Sequence, residues 1–129
     1  MVVVDTSVWI DFFNNPEMEG NSQLEELIRD QNRAVICGVI LQEILQGIRE
    51  QKSFDLTRQR LLFLPFLEST REVHLLAASI YRDLRKRGVT VPSIDMTIAA
   101  IAIHHGFPLF TRDDHFKEIA RQSTLELFA

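Results

Sequence analysis

The 129-residue chain predicts an α/β fold built on a short, mostly parallel sheet, and three observations carry that expectation. Short β-branched or apolar runs, Val2–Val4, Ala34–Ile36 and Leu109–Thr111, alternate with longer stretches whose apolar residues recur at helical spacing. The first of these runs ends directly on Asp5, and the last is followed two residues later by Asp113. The stretch Met96 to His105 is rich in alanine and isoleucine on nearly all sides, which places it inside the molecule. Strands alternating with such helices give an α/β/α sandwich.

In chain order, Val2–Val4 reads as a buried strand because three stiff β-branched residues stand together. A helix follows over Ser7 to Phe13, broken by Asn14, Asn15 and Pro16. Ser22 is placed to cap a helix through Leu24, Leu27 and Ile28 that ends near Asp30. Ala34–Ile36 forms the next strand, and Val39, Ile40, Ile44, Leu45 and Ile48 repeat at helical spacing with Glu43 among them. The spacing predicts a helix over Phe54 to Leu67, a short extended Glu72 and Val73, and a helix over Leu75 to Arg87 stopped by Gly88. Val89 to Pro92 form an extended linker. Ser93, Ile94 and Asp95 open the apolar helix, which Gly106 and Pro108 end. Leu109–Thr111 is a strand, Phe116 and Ile119 lie on a short helix, and Leu125 to Phe128 supply a final edge strand.

Hydrophobic residues make up 46% of the chain and charged residues 25%, an ordinary balance for one core, so residues 1–129 are expected to form a single domain. The apolar opening lacks a basic start and carries Asp5 and Asp11, so it is not expected to act as a signal peptide, and no apolar run reaches the length of a membrane span. A cytoplasmic protein is expected. Cys37 stands alone and reads as a small buried side chain. The net charge of −4 argues against coating nucleic acid with positive charge, yet leaves room for an acidic cleft neutralised by divalent cations. Arg82, Arg85, Lys86 and Arg87 suit a solvated helix C-terminus.

Each acid has a plain structural reading beside the functional one. Asp5 could cap the first helix through its carboxylate, Asp95 could cap the apolar helix, and Glu43 could belong to a polar stripe with Gln46 and Glu50. For Asp95 that reading is weaker, because Ser93 already offers a capping side chain. If the strands before Asp5 and Asp113 are parallel neighbours, their C-terminal ends bring both carboxylates to one sheet edge, where open α/β sheets bind ligands.

The segments VVVDTSVWIDFF, VILQEILQG, SIDMTIAAIAIHHG and LFTRDDHF, in this order and spacing, resemble the PIN-domain nucleases, and specifically VapC-type toxins of toxin–antitoxin pairs, over nearly the full length. The resemblance implies a PIN-like three-layer α/β/α sandwich. It matches Asp5, Glu43, Asp95 and Asp113 to the family's four acids, and Thr6 and Thr111 to the hydroxyl residues beside them. It further implies hydrolysis of RNA to a 5′-phosphate and a 3′-hydroxyl, a homodimer, and a small antitoxin partner whose C-terminal segment covers the acidic cleft.

The chemistry accounts for these residue types independently. Clustered carboxylates resist joint ionisation, so four of them are stable chiefly around a cation, and hard oxygen ligands suit Mg²⁺ or Mn²⁺. Asp5 and Asp113 rank first as metal ligands with Asp95 beside them, and Glu43 is a ligand or an orienter of the attacking water. Thr111 is expected to hold a water or a carboxylate, and Asp114 to cap the short helix after it.

His104 and His105 complement a helix C-terminus, while His74 and His115 read as isolated. Trp9, Phe12 and Phe13 read as core or dimer contacts and not as stacking platforms for bases. An aspartyl phosphatase would need a second Asp at position 7, which is Ser7; a receiver domain would need paired acids and a lysine, and neither is placed correctly. No glycine-rich phosphate loop is present. The remaining alternative is a non-catalytic PIN-like module that binds RNA or protein.

Overall fold

The computed structural model describes residues 1–15, 21–30 and 32–129; the expected break at Pro16 lies outside them. Strand β1 (Val2–Val4) leads into helix α1 (Thr6–Asn14), followed by α2 (Asn21–Arg29), β2 (Ala34–Cys37), α3 (Gly38–Gln46), α4 (Gln51–Leu62) and β3 (Phe66–Leu67). Next come α5 (Arg71–Lys86), α6 (Ser93–His105), β4 (Leu109–Phe110) and α7 (His115–Arg121). The strands form a sheet in the order β3-β2-β1-β4, and every pair is parallel.

Parallel strands need right-handed crossovers, so the direction of travel along the sheet decides which face each helix covers. The chain steps one way from β1 to β2 to β3, placing α1 to α4 on one face. It then returns across the sheet to β4, placing α5 and α6 on the other. The packing agrees: α1 meets α2 and α3, α3 meets α4, and α5 runs along α6, which in turn meets α7. The expected three-layer sandwich is thus present, with all pairings parallel.

Both faces being covered, the strands are apolar throughout, and Val2, Val3, Val4, Ala34, Val35, Ile36 and Leu109 are buried. Helix α6 buries Met96, Ile98, Ala99, Ala100, Ile101 and Ala102, and its three alanines allow close approach on several sides. It ends because Gly106 takes a left-handed conformation, φ 69°, and its N–H bonds back to Ile103. Trp9 lies in the core and its indole Nε1 donates to the Val4 carbonyl at 3.1 Å, fastening α1 to the end of β1.

Several boundaries differ from expectation. The helix expected over Phe54 to Leu67 stops at Leu62, and Phe66–Leu67 pairs with Ile36 and Cys37 as β3. Pro65 explains this, since it has no N–H for a helix, restricts Leu64, and offers its carbonyl to the Ile36 N–H at 3.0 Å. Glu72 and Val73 lie in the first turn of α5, where the Thr70 side chain accepts from the Val73 N–H. Ser22 lies inside α2, and α6 already begins at Ser93, so neither serine caps its helix. Of the expected last strand, Leu127 alone bridges Leu109, with hydrogen bonds of 2.9 and 2.8 Å on either side.

The consequence for function lies between β1 and β4. Chain direction across the sheet reverses there, and such a switch point opens a crevice outside the strands' C-terminal ends. Register pairs Val4 with Phe110, and the Asp5 N–H donates to the Phe110 carbonyl at 2.9 Å. Asp5 and Thr111 therefore emerge side by side.

Candidate metal centre

Asp5 occupies the cap position of α1, yet its carboxylate makes no capping hydrogen bond. It is 5% exposed, and its Oδ2 accepts from the hydroxyls of Ser7 at 2.9 Å and Thr111 at 2.8 Å. With both protons directed at one oxygen, and no other hydrogen bond to this carboxylate among the described residues, Oδ1 is left for a ligand. The capping account of Asp5 is therefore replaced by a carboxylate held from two sides.

The same hydroxyls tie down the loop after β4. Ser7 Oγ accepts from the Arg112 N–H at 3.0 Å, and Thr111 Oγ1 accepts from the Asp113 N–H at 3.0 Å. Thr111 thus holds a carboxylate, and it also orients the residue that carries the next one. Asp113 Oδ1 accepts from the His115 N–H at 3.0 Å. Asp114 stands at the cap position of α7 but makes no cap bond there; it faces solvent and pairs with Lys117 at 2.9 Å, which holds its carboxyl below the usual range.

Asp95 projects from the first turn of α6 and is largely covered, its side chain 16% exposed. His115 stands between it and Asp113, with Nδ1 at 3.0 Å from Asp95 Oδ2 and 3.2 Å from Asp113 Oδ1. Ligand atoms of Asp95, Asp113 and His115 all lie within 4.8 Å of one another. Burial pushes the Asp95 carboxyl above its ordinary value; the His115 hydrogen bond opposes that, and the charges of Asp113 and Asp5 add to it.

Glu43 comes from the α1–α4 face. It is half-buried on α3, and its Oε1 accepts from Thr6 Oγ1 at 2.8 Å, so it does not belong to a solvated stripe. The Cys37 thiol is pushed up chiefly by burial, with the nearby charges of Asp5 and Glu43 adding to the effect, which keeps it protonated and unreactive. Beside Glu43 a cavity of about 530 Å³ opens between α1, α3 and α4, lined by Ile10, Phe13, Ile44, Leu56 and Arg60 among others.

Of the four predicted acids the structure brings Asp95 of α6 and Asp113 of the loop after β4 together, with Asp5, just after β1, held next to them through Thr111; Glu43 of α3 is not part of that cluster and is held by Thr6 instead. Arg112 turns away and pairs with Asp11 at 3.0 Å. Among the described residues no Lys or Arg pairs with Asp5, Glu43, Asp95 or Asp113. Carboxylates gathered without a fixed cation favour a bound one, and their hard oxygens fit a divalent ion. Sequence reasoning missed two members of the site, Ser7 and His115. Each stands two residues after an acid, at a spacing that by itself also describes many surface turns.

A family profile for the PIN domain matches residues 2–122. Ribonuclease VapC11 of Mycobacterium tuberculosis is 33% identical over 129 aligned residues, covering 98% of this chain and 96% of that protein. Ribonuclease VapC1 of Methanocaldococcus jannaschii is 28% identical, with 98% and 86% covered. Among solved structures, VapBC2 of Rickettsia felis, bound to a DNA fragment from its promoter, superposes with a TM-score of 0.80 at 20% identity, covering 99% of this chain and 98% of that one. FitAcB of Neisseria gonorrhoeae gives a TM-score of 0.81 at 20% identity, with 100% and 97% covered.

Proposed function

The chain belongs to the PIN-domain family, and from that membership we propose that it is a metal-dependent endoribonuclease, the toxin of a toxin–antitoxin pair. The observation that supports this reading is that Asp95 and Asp113 stand together with His115, while strand register sets Asp5 beside Thr111 at the crevice between β1 and β4, with no Lys or Arg paired to these acids among the described residues. The relatives that match over nearly their whole length are named ribonucleases, which supports the same substrate here.

Asp5, Asp95 and Asp113 hold Mg²⁺ or Mn²⁺ in this reading. The cation, when bound, supplies Lewis acidity that lowers the pKa of water and offsets the charge building on the phosphodiester. Ser7 and Thr111 keep Asp5 in one rotamer with one oxygen turned to the site. Glu43, anchored by Thr6 and set apart from the cluster of Asp95, Asp113 and His115, orients the attacking water and takes up its proton.

The partner is an antitoxin protein, as the solved VapBC complexes suggest, and the cavity beside Glu43, lined by apolar side chains together with Arg49 and Arg60, supports a partner segment lying there. A homodimer and a cytoplasmic setting complete the proposal. No helix among the described residues is long and apolar enough to cross a membrane.

The test is cleavage of labelled total RNA by the purified, antitoxin-free protein with Mg²⁺, Mn²⁺ or chelator, beside Asp5→Asn and Asp95→Asn. Discrete cuts lost with chelator and in both variants are expected. Cuts that persist in folded variants would overturn the assignment, and absence of cutting despite metal binding would favour a module that only binds.

A further inference from the structure

The side chain that the acidic mechanism leaves without a role is His115, although it lies inside the site. Its imidazole meets Asp95 and Asp113 at 3.0 and 3.2 Å through the same nitrogen. Its own backbone N–H also holds Asp113 Oδ1 at 3.0 Å, so backbone and ring of His115 both contact the same carboxylate oxygen. We infer that His115 is a nitrogen ligand of the divalent cation, beside Asp95 and Asp113, and that it biases the centre toward Mn²⁺ over Mg²⁺. The inference rests on the metal-dependent reading above.

The argument is geometric first. An octahedral cation with bonds of about 2.1 Å sets neighbouring donor atoms about 3.0 Å apart. The two N···O separations at His115 are of that size, and Asp95 comes from α6 while Asp113 lies in the loop before α7 and His115 opens α7, so one sequence turn does not impose the contact with Asp95. A cation placed between Asp95 and Asp113 meets oxygens that both already face Nδ1. It must therefore either drive the ring out or displace the Nδ1 proton to solvent, leaving a neutral ring protonated at Nε2, and take the lone pair so freed. The bond from the His115 N–H to Asp113 Oδ1 favours the second, because it keeps that carboxylate beside the backbone from which the ring projects.

Ligand chemistry supplies the selectivity. Mg²⁺ prefers an all-oxygen shell and keeps several waters, whereas an imidazole nitrogen is a borderline donor whose affinity for divalent ions rises along the transition series. One nitrogen among carboxylates leaves Mg²⁺ able to bind but rewards Mn²⁺ more.

Mn²⁺ alone is the probe. The full-length, RNA-free protein is loaded with it and studied by pulsed electron paramagnetic resonance, which detects a ¹⁴N nucleus bonded to the ion. The expected result is nitrogen modulation in the wild type that vanishes in His115→Phe and persists in His105→Phe, the latter residue lying exposed at the end of α6. In titrations, His115→Phe should weaken Mn²⁺ binding by about tenfold and Mg²⁺ binding by less than about threefold. Bound Mn²⁺ with no nitrogen signal in the wild type would overturn the inference and leave the acidic site standing; a signal unchanged in His115→Phe would do the same. Failure of the wild type to bind Mn²⁺ at all would overturn both the inference and the metal-dependent reading beneath it.

Discussion

Thr111 Oγ1 donates to Asp5 Oδ2 at 2.8 Å across 106 positions of sequence, joining the residue that follows β4 to the one that follows β1. The parallel register of Val4 on Phe110 makes this contact possible, and the same hydroxyl receives the Asp113 N–H. One threonine thus fixes the direction of one candidate ligand and the backbone of another.

Replacing that hydroxyl with a methyl group keeps the shape and removes both contacts. Thr111→Val should bind Mn²⁺ and cleave RNA about 10- to 100-fold less well, with Thr111→Ser close to wild type. Metal titration beside circular dichroism separates this from unfolding. Equal affinity in wild type and Thr111→Val would show that Asp5 needs no such support.

Glu43 and the three aspartates should part company under mutation. Glu43→Gln keeps a side chain of similar size beside Thr6 but loses the base, so RNA turnover should fall by about 10²-fold or more. Mn²⁺ affinity should change far less than in Asp5→Asn. A large loss of metal binding in Glu43→Gln would make it a ligand.

Asp95 should oppose stability in the absence of metal. Its raised pKa means that the folded protein holds this proton more tightly than the unfolded chain does. Its contribution is therefore most favourable at low pH and is lost as pH rises from the ordinary carboxylate value through the raised one. Metal-free Asp95→Asn should melt above wild type at pH 7, and the gap should narrow as pH falls and close below the ordinary carboxylate value. Saturating Mg²⁺ should reverse the order, since the wild type gains more by binding. Thermal melts across that pH range, with and without Mg²⁺, check each part.

Trp9 should carry stability without touching the chemistry directly. Trp9→Phe leaves the Val4 carbonyl without its indole donor and should cost about 1–2 kcal/mol in denaturant unfolding. An unchanged midpoint would mean that this hydrogen bond contributes nothing net.

Much of this was legible from the chain. Val2–Val4 and Leu109–Phe110 announce themselves by composition, and an acid directly or shortly after each strand becomes meaningful once the two strands are neighbours. Phe66–Leu67 was not legible as a strand because Leu61 to Leu67 is nearly continuous apolar sequence, which helix and strand share; Pro65 was the one local signal. Thr70 with Glu72 likewise marked the start of α5 ahead of the Leu75 periodicity. Ser7 and His115 stayed hidden for a different reason. Ser7 meets Arg112 across 105 positions and His115 meets Asp95 across 20, contacts that follow from strand register and helix placement and leave no periodic trace.

The order in which the chain leaves the ribosome gives the switch-point topology a further meaning. Asp5 and Glu43 are synthesised within the first third of the protein, whereas Asp95 and the loop after β4 come near its end. Strands β1, β2 and β3 can zip together early, but the slot beside β1 stays empty until residue 109 arrives. A nascent or prematurely terminated chain therefore owns half of the acids and, without Thr111, only the Ser7 side of the lock on Asp5, and the complete centre is among the last things translation delivers.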